Sequence, residues 1–431
     1  MTWQEMNGRK CGCGKIHSTR LQVISGKNAL LSLGQTAAAY GQKAFVLADA
    51  NTQKAAGERV CRLLKEAGLG VVSHVEGAPM PDERTAGSVL MHYDPACDLI
   101  VAVGSGVIND LGKLLAAVTG KPYIIVATAP SMDGYASASS SMERGGLKVS
   151  LPTRAPDVIV GDEEILAAAP KKLMVAGLGD MLAKYISICE WRIAHLLWGE
   201  PYCEEIAGLV RSALQKCVKN APALLRRDPE AVMAVFDGLV IGGVAMNYAG
   251  LSRPASGCEH YISHVLDMRG VSLGTPTQVH GLQCAVGTYI CAGLYEKLLT
   301  LTPDARKAEL AVADFDRESW NATLRDLLGT SAESMIALEE KEGKYDKKTH
   351  PARLQAILAH WPEILEIIRQ EVPPAQRIYD LLKALDAPTT LEALGTDEKL
   401  LPLIFGATRD IRDKYVLSRL CWDLGVTEEI I

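Results

Sequence analysis

The sequence DLIVAVGSGVINDLGKLLAAVT, residues 98–119, decides the fold class. Asp98–Val103 is an apolar run typical of a buried parallel strand, and Leu111–Thr119 has the spacing of a helix. The glycine-rich turn between them could hold a phosphate, because glycine lets backbone N–H groups at a helix start face an anion. That signal is weak alone, since Asn109 stands where the fingerprint G-x-G-x-x-G has its third glycine.

The same alternation of strand and helix runs through the first part of the chain. Strands are predicted at Gln42–Asp49, Leu69–His74 and Pro122–Ala127, and helices at Asn51–Ala67 and Pro81–His92. This order predicts a parallel sheet with helices on both faces. After Pro170 the helical period dominates. We therefore predict a Rossmann-like α/β domain at residues 1–165 and an all-helical domain at residues 166–431.

Composition narrows the classes of function and compartment. The chain has 431 residues, 48% of them hydrophobic, 22% charged, and a net charge of −6. Without a Lys/Arg block, neither a nucleic acid nor an anionic membrane is expected as a partner. The first residues resemble no secretory leader, and we see no apolar run long enough to insert into a membrane. Eleven cysteines, an odd number, suit a reducing compartment. The expectation is a cytoplasmic protein.

Three of the nine histidines lie between Leu251 and Gly287. His260 and His264 fall on one face of a predicted helix, and His280 precedes another helical run. Imidazole is a common ligand for zinc-like cations, and a catalytic site needs about three protein ligands. Asp180, in A-G-L-G-D-M, is the best candidate for a further ligand. Spacing alone leaves a metal site and hydrogen-bonded histidines in a polar core equally open.

Three charged residues have both a functional and a structural interpretation. Asp49, at a strand end, could accept hydrogen bonds from ribose hydroxyls or cap the next helix. Asp133, in a small-residue loop after the fourth strand, could contact a ligand or form an Asx-turn. Arg253 could meet an anionic substrate or cap helical carbonyls.

A further motif lies near the N-terminus, Cys11-Gly-Cys13-Gly-Lys-Ile-His17. Two cysteines and a histidine so close could bind a structural metal. However, C-x-C lacks the usual C-x2-C reach and no second pair follows nearby. A turn with reduced thiols is the alternative interpretation.

Five motifs follow in one order: GSGVINDLGK, TAPSMDGYASAS, GLGDMLAKY, SRPASGCEHYISH and VHGLQCAVG. In this order the sequence resembles the glycerol-1-phosphate dehydrogenases. These belong to the superfamily of iron-containing alcohol dehydrogenases, glycerol dehydrogenases and dehydroquinate synthases. The resemblance covers about Leu21–Leu299 and resumes at Ala407–Gly425.

The resemblance implies a dehydroquinate synthase-like fold with the active site in the cleft between the two domains. It implies a metal bound by Asp180, His260 and His280, with His264 facing the substrate instead of the metal. It also places Asp133 on the substrate hydroxyls, so that Asp133, Asp180 and His264 form the catalytic set. Arg253 is predicted to join them in substrate binding from its position just before the histidine pair, and not from the resemblance. The implied cofactor contacts are Gly106, Val107, Ile108, Asn109, Asp110, Thr128, Ala129, Pro130, Ser131 and Ser137. Asp49 is added to them because of its position at a strand end.

The expected function is therefore an NAD- or NADP-dependent glycerol-1-phosphate dehydrogenase with one divalent Zn, Ni or Fe ion. The cation would polarise the C2 carbonyl of dihydroxyacetone phosphate while the reduced nicotinamide delivers hydride. A homo-oligomer, most simply a homodimer, is expected. The alternatives are a glycerol or small-polyol dehydrogenase, a dehydroquinate synthase-like cyclase and a nucleotide-binding regulatory module. The cyclase needs several cations, whereas the histidine stretch has only Arg253 and Arg269.

Overall fold

The computed structural model describes residues 2–145 and 147–431. Contacts divide the chain into two compact units, the first formed by Met1–Met181 and Gly208–Leu251, the second by Leu182–Ala207 and Ser252–Ile431. This division differs from the predicted cut after residue 165, because helical segments of the middle of the chain pack with the sheet. An example is Phe236, which packs against Gly161 of the sheet. A Cβ atom on Gly161 would lie 2.2 Å from the Phe236 ring.

The first unit is built on a six-stranded parallel sheet with strand order β1-β8-β5-β4-β2-β3. A separate antiparallel pair, β6-β7, follows the sheet's fifth strand in sequence. The described strands are β1 Gln22–Gly26, β2 Lys43–Asp49, β3 Gly70–Glu76, β4 Leu99–Gly104, β5 Tyr123–Ala127, β6 Ser139–Arg144, β7 Leu147–Pro152 and β8 Val158–Asp162. The predicted parallel sheet is confirmed.

The helices of both units, in chain order, are α1 Trp3–Met6, α2 Leu33–Ala38, α3 Ala50–Thr52, α4 Glu58–Glu66, α5 Glu83–His92, α6 Gly106–Thr119, α7 Glu163–Ala168, α8 Lys171–Leu182, α9 Lys184–Trp198, α10 Glu204–Leu224, α11 Pro229–Ala249, α12 Cys258–Leu273, α13 His280–Leu299, α14 Ala305–Asp314, α15 Arg317–Leu328, α16 Ala332–Glu342, α17 His350–Ala359, α18 Trp361–Glu371, α19 Ala375–Ala384, α20 Leu401–Ala407, α21 Leu417–Asp423 and α22 Thr427–Ile430. A π-helical segment, Gln53–Gly57, joins α3 to α4. Short 3₁₀ turns lie at Ala29–Ser32, Asp133–Tyr135, Gly329–Ser331, Glu392–Leu394, Glu398–Leu400 and Thr408–Asp410.

The middle strands of the sheet are buried on both faces, as their continuous apolar sequences predict. Every residue of β4 and of β5 is buried. The chain leaves β2 for β3 on one side and returns to β4 on the other side of β2, after which β5 continues outward. The crevice at the carboxyl ends of β2 and β4 is therefore the switch point, where ligands bind in open α/β sheets.

Helix α6 and strand β1 are among the elements that differ from the sequence prediction. Helix α6 begins at Gly106 and not at Leu111, so the glycine-rich turn contributes its last residues to the first helical turn. Strand β1 was not predicted, because its short sequence QVISG is only partly apolar and lies at the edge of the sheet.

One described helix, α11, is long and apolar enough to cross a membrane by length and composition alone. Of its most apolar window, 72% is buried inside the fold, which is what the core helix of a globular unit requires.

In the second unit, helices α12 and α13 approach closely at Gly287. A Cβ on Gly287 would lie 2.6 Å from the backbone oxygen of Glu259. This close approach places the first turn of α13 beside the first turns of α12, where the predicted histidines lie.

Candidate functional site

The turn from β4 into α6 leaves the start of the helix without a side-chain cap. Ser105 is the N-cap residue, but its side chain makes no capping hydrogen bond within the described chain and instead pairs with the Ser131 hydroxyl. A Cβ on Gly106 would meet only the Met132 side chain, at 3.7 Å. Backbone N–H groups of the first turn, at Gly106, Val107 and Ile108, are thus arranged as an anion site requires.

The next two predicted cofactor residues, Asn109 and Asp110, point into the protein. The fully buried Asn109 amide donates to the Gly134 carbonyl oxygen (3.0 Å) and accepts from the Tyr123 hydroxyl (3.0 Å). Asp110 pairs with Lys113 at 2.9 Å. Burial raises the pKa of Asp110, although Lys113 opposes this shift. Asn109 directly, and Asp110 through Lys113, hold the loop after β5.

Lys113 was missed by the sequence analysis, which read GSGVINDLGK only as a phosphate turn. Its side chain is fully buried, and its ammonium donates to the Gly134 carbonyl oxygen and the Ser137 hydroxyl, both at 3.1 Å, and to the Ser139 carbonyl oxygen. The available signal for this role was a lysine seven residues after Gly106, on an otherwise apolar face of the helix.

The loop at residues 128–137 is held against α8 and α11 by two glycines. A Cβ on Gly177 would lie 1.8 Å from the Pro130 carbonyl oxygen, and one on Gly243 would lie 2.9 Å from the Asp133 carbonyl oxygen. The buried predicted cofactor residues of this loop are Thr128, Ala129, Pro130, Ser131 and Ser137. Any larger side chain at Gly177 would displace the backbone that carries them.

Asp133 and Asp180, predicted separately, come together in the first unit. The Asp133 backbone N–H donates to Asp180 Oδ2 at 2.8 Å. Asp180 is fully buried on α8, whereas Asp133 is half-buried in a 3₁₀ turn. A buried carboxylate that accepts a backbone hydrogen bond is oriented before any cation arrives.

Asp49 has the capping role that its position allows. Its Oδ1 accepts from the backbone N–H groups of Asn51 (2.7 Å) and Thr52 (3.0 Å), and the Thr52 hydroxyl accepts from the Asp49 N–H (2.9 Å). This capping box fixes the carboxylate at the carboxyl end of β2.

In the second unit, the tautomer of His260 is fixed by its neighbour. His260 Nδ1 lies 2.8 Å from Glu259 Oε1, and the Glu259 carboxylate is fully buried. Because a carboxylate accepts, Nδ1 carries the proton and Nε2 presents its lone pair. A carboxylate behind a histidine is the usual arrangement at metal sites, where it raises the ligand's basicity.

His280 receives the same orientation through a chain of hydrogen bonds. Its Nδ1 lies 2.9 Å from the Ser263 hydroxyl oxygen. That hydroxyl donates its one hydrogen to Gln283 Oε1 at 2.6 Å, and the Gln283 amide donates to Asp267 at 3.0 Å. Ser263 must therefore accept from His280, which puts the proton on Nδ1 and leaves Nε2 as the ligand atom.

The two histidines meet a thiol that the sequence analysis did not single out. His260, His280 and Cys284 each offer one atom, and these atoms lie within 4.8 Å of one another. The distance between Cys284 Sγ and His280 Nε2 is 3.5 Å. Two ligands at Zn–S and Zn–N bond lengths and a tetrahedral angle would be about 3.5 Å apart. The signal was the spacing of four residues from His280, which places Cys284 on the same helical face.

The protonation of this thiol depends on its surroundings. Burial raises the pKa of the Cys284 thiol, but His260 and His280 lower it by more, and the resulting pKa lies below the ordinary value. A fully buried thiol with a lowered pKa beside two oriented imidazoles is a donor set that suits zinc.

His264 lies one turn after His260 and is half-buried. Its ring centroid is 6.0 Å from that of His280 and 6.2 Å from that of Tyr261. The structure thus brings all three predicted histidines to one place in the second unit.

Arg253, predicted to bind the substrate, lies in a network of hydrogen bonds within the second unit. Its guanidinium makes two hydrogen bonds to Glu200 (2.7 and 2.6 Å) and one to the Tyr415 carbonyl oxygen (2.8 Å). The side chain is 2% exposed. A guanidinium bonded in this way ties the loop before α12 to the C-terminal part of the chain.

Behind His260 lies a second buried carboxylate, Glu190. It accepts from the backbone N–H groups of Cys258 (3.0 Å) and Leu417 (2.8 Å). Burial and the nearby Glu259 raise the pKa of Glu190 to about 8. The Glu190 carboxyl group therefore holds its proton to a higher pH than an exposed carboxyl group does.

The profile of the family "Iron-containing alcohol dehydrogenase" matches residues 24–170. Among curated relatives, glycerol-1-phosphate dehydrogenase [NAD(P)+] of Halalkalibacterium halodurans is 33% identical over 297 residues, which cover 67% of this chain and 74% of that protein. The enzyme of the same name from Methanothrix thermoacetophila is 34% identical over 278 residues, covering 64% of this chain and 77% of that protein.

Solved structures agree on the fold. A probable glycerol dehydrogenase from Sinorhizobium meliloti 1021 has a TM-score of 0.60 at 18% identity and covers 95% of this chain and 96% of its own. A 1,3-propanediol oxidoreductase has a TM-score of 0.63 at 17% identity, with coverage of 95% and 98%. Together with the curated relatives, they confirm the predicted resemblance: the chain belongs to the glycerol-1-phosphate dehydrogenase family of the iron-containing alcohol dehydrogenase superfamily.

Proposed function

We propose that this chain is an NAD(P)-dependent sn-glycerol-1-phosphate dehydrogenase. It transfers hydride reversibly between the nicotinamide and C2 of dihydroxyacetone phosphate or glycerol 1-phosphate. The observation that carries the proposal is the pair His260 and His280, each with Nδ1 held by an acceptor and Nε2 presented toward a common point. The names of its curated relatives support the substrate.

The proposed metal ligands are Asp180, His260 and His280, as the family resemblance assigns them. Their donor set, one carboxylate and two neutral imidazoles, suits Zn, Ni or Fe, and the thiol of Cys284 beside the two histidines favours zinc. A bound cation supplies Lewis acidity toward the ketone oxygen and stabilises the developing alkoxide. The protein's contribution is to hold the ligands in one protonation state and orientation.

The dinucleotide is proposed to bind at the switch point of the sheet, between the ends of β2 and β4. Its pyrophosphate would lie at the start of α6, on the N–H groups of Gly106, Val107 and Ile108. The loop at residues 128–137 would contact the nicotinamide side. Asp49, fixed by its capping box, would accept from the ribose hydroxyls and repel a 2′-phosphate. We therefore infer a preference for NADH over NADPH.

Two side chains are proposed to act on the substrate. Asp133 would orient the hydroxyls, since its backbone is already held by Asp180. His264, one turn from His260 and beside His280, would deliver the proton to the alkoxide directly or through a water molecule.

A second candidate function is the oxidation of glycerol or another small polyol. One observation favours it: Arg253, the cation expected to meet the phosphate, is bonded to Glu200 and Tyr415. A dehydroquinate synthase-like cyclase remains the more distant alternative, and the same bonding removes one of the few cations it would need.

The test is oxidation of NADH and of NADPH by zinc-reconstituted protein offered dihydroxyacetone phosphate or, separately, dihydroxyacetone. His280→Ala serves as the blank, and His92→Ala, whose imidazole is on α5 of the first unit, as the matched histidine control. Turnover of the phosphorylated ketone, lost in His280→Ala alone, supports the proposal. Preference for dihydroxyacetone transfers the chain to the polyol dehydrogenases, and turnover of neither contradicts both candidates.

The proposal extends to assembly and compartment. We infer a homo-oligomer, most simply a homodimer, in the cytoplasm. Light scattering coupled to size-exclusion chromatography, and fractionation of the source cells, measure these two properties directly.

A further inference from the structure

The N-terminal segment Lys10–Ile16 folds back on itself as a tight turn. Lys10 and Ile16 form an antiparallel bridge. Inside it, the Cys11 N–H donates to the Lys15 carbonyl oxygen (2.8 Å), and the Gly14 N–H donates to the Cys11 carbonyl oxygen (2.9 Å). Gly14 has a φ of +85°, the left-handed conformation that lets the chain reverse direction there. This reversal supplies the reach that a C-x-C spacing lacks.

The turn gathers three ligand-type side chains of the first unit. Cys11, Cys13 and His17 each offer one atom, and these atoms lie within 4.8 Å of one another. Cys13 Sγ and His17 Nε2 are 3.3 Å apart. A thiolate and an imidazole nitrogen on one tetrahedral zinc ion would be about 3.5 Å apart at ordinary bond lengths. The side chains therefore already stand close to the separation that a shared cation needs.

His17 is oriented in the way a metal ligand requires. Its Nδ1 lies 2.9 Å from the Tyr248 carbonyl oxygen, which can only accept, so Nδ1 carries the proton and Nε2 faces Cys13. Its ring, 4% exposed, stacks on the Tyr248 ring at 5.6 Å. Tyr248 is fixed in turn, because its hydroxyl donates to the Trp3 carbonyl oxygen at 3.0 Å. A merely packed histidine would need no such support.

The two cysteines differ in their exposure to solvent. Cys11 is 5% exposed, whereas Cys13 is exposed, so one ligand is fixed in the fold and the other remains reachable by an incoming ion.

We propose that Cys11 Sγ, Cys13 Sγ and His17 Nε2 bind a structural zinc ion, separate from the metal bound near His260 and His280. Binding releases two thiol protons and transfers no electrons. A water molecule or a further side chain completes the tetrahedron. The ion would fasten the N-terminal helix α1 and its turn to α11 through His17 and Tyr248.

The experiment measures zinc per chain by inductively coupled plasma mass spectrometry in a His280→Ala background, which removes a ligand of the other metal. That background separates this inference from the proposed function. We expect about one equivalent in His280→Ala and a loss to less than about one tenth when Cys13→Ser is added. Cys61→Ser, a half-buried cysteine on α4, is the matched control and should keep the zinc.

A second measurement detects the thiolate ligands directly. The His280→Ala protein, freed of zinc and given Co²⁺, should show a near-ultraviolet thiolate-to-cobalt absorption band that Cys13→Ser abolishes. Unchanged zinc content and no such band would overturn the proposal. A disulfide between Cys11 and Cys13, found by mass spectrometry in protein purified with zinc under reducing conditions, would also overturn it.

Discussion

The Ser263 hydroxyl determines which nitrogen of His280 holds the proton. Because it donates to Gln283 and accepts from His280, its removal leaves both His280 Nδ1 and Gln283 Oε1 without this partner. We predict that Ser263→Ala weakens zinc binding about 10- to 100-fold, the usual effect of losing such a support. Competition with a chromogenic chelator measures the affinity.

The matched control for this prediction is Ser212→Ala. Ser212 is exposed on α10, and its hydroxyl donates only to the Gly208 carbonyl oxygen of its own helix (2.8 Å). Its zinc affinity should equal that of the wild type. Equal affinity in Ser263→Ala as well would mean that the imidazole keeps its orientation without the hydroxyl.

Lys414 gives the stability of the protein a dependence on pH. Burial, and then Arg253 and Arg412, lower the pKa of Lys414 to about 7, below the value of about 10.4 in an unfolded chain. Between these values the unfolded chain binds more protons, so this group makes stability rise with pH. Below about pH 7 the destabilisation of the folded protein by buried Lys414 reaches its full value.

We therefore predict that Lys414→Met stabilises the protein most, relative to wild type, at pH 7 and progressively less toward pH 10. Urea unfolding at a series of pH values measures the difference. Lys399→Met, at an exposed lysine, should show no such trend. A constant difference for Lys414→Met would show that the ammonium is solvated in the folded protein.

The individual residues of the site were predictable to different degrees. Asp180, His260 and His280 stay predicted ligands that five motifs in register support, because residue types and their order can be read from a sequence. Cys284 and Lys113 were missed, since a cysteine and a lysine inside apolar helices have many roles. The role of Arg253 depended on Glu200, 53 residues away, and no local pattern reveals such a partner.

At the scale of elements, the position of the loop at residues 128–137 depends on Gly177 of α8, which has no side chain. A Cβ on Gly177 would lie 1.8 Å from the Pro130 backbone oxygen, which cannot rotate away. Gly177→Ala should therefore destabilise the protein by roughly 1–3 kcal/mol, the usual cost of overpacking, and weaken NADH binding. Fluorescence titration with NADH and thermal unfolding measure the two effects.

Gly208→Ala is the matched control, since both glycines are helical. No described heavy atom lies within 4 Å of a Cβ at Gly208, so alanine there should be neutral or stabilising by about 0.5–1 kcal/mol. If Gly177→Ala behaves like this control, the loop after β5 can move without losing the cofactor.

The elements themselves were mostly predictable. Buried strands such as β4 and β5 are predicted by continuous apolar runs, and helices α12 and α13 by the helical spacing of their residues. The start of α6 was placed too late, because Gly106 reads locally as a turn although packing of Ile108 on Gly104 favours the helix. Edge strand β1 is defined by its pairing with β8, which is 132 or more residues away in sequence.

At the scale of the whole molecule, metal binding should raise stability. An ion that binds only the folded chain contributes about 4 kcal/mol when its concentration is about 1,000 times its Kd. We predict a clear upward shift in Tm when zinc is added to protein freed of metal by a chelator. Differential scanning fluorimetry measures it.

The variants divide this shift between the two proposed ions. His280→Ala should keep the part that comes from the N-terminal turn, and Cys13→Ser the part that comes from the histidine pair. A shift that persists in full in the double variant would mean that zinc acts elsewhere on the chain.

The burial of Lys113 has a consequence for chemical labelling. Its ammonium is occupied by Asp110, Ser137 and two carbonyl oxygens, so an acylating reagent can reach it only when the segment opens. Exposed lysines react within seconds, whereas Lys113 should react only as fast as the segment opens. Its rate of acylation, followed by peptide mass spectrometry, measures how often the loop at residues 128–137 detaches from Lys113. A bound dinucleotide should lower this rate.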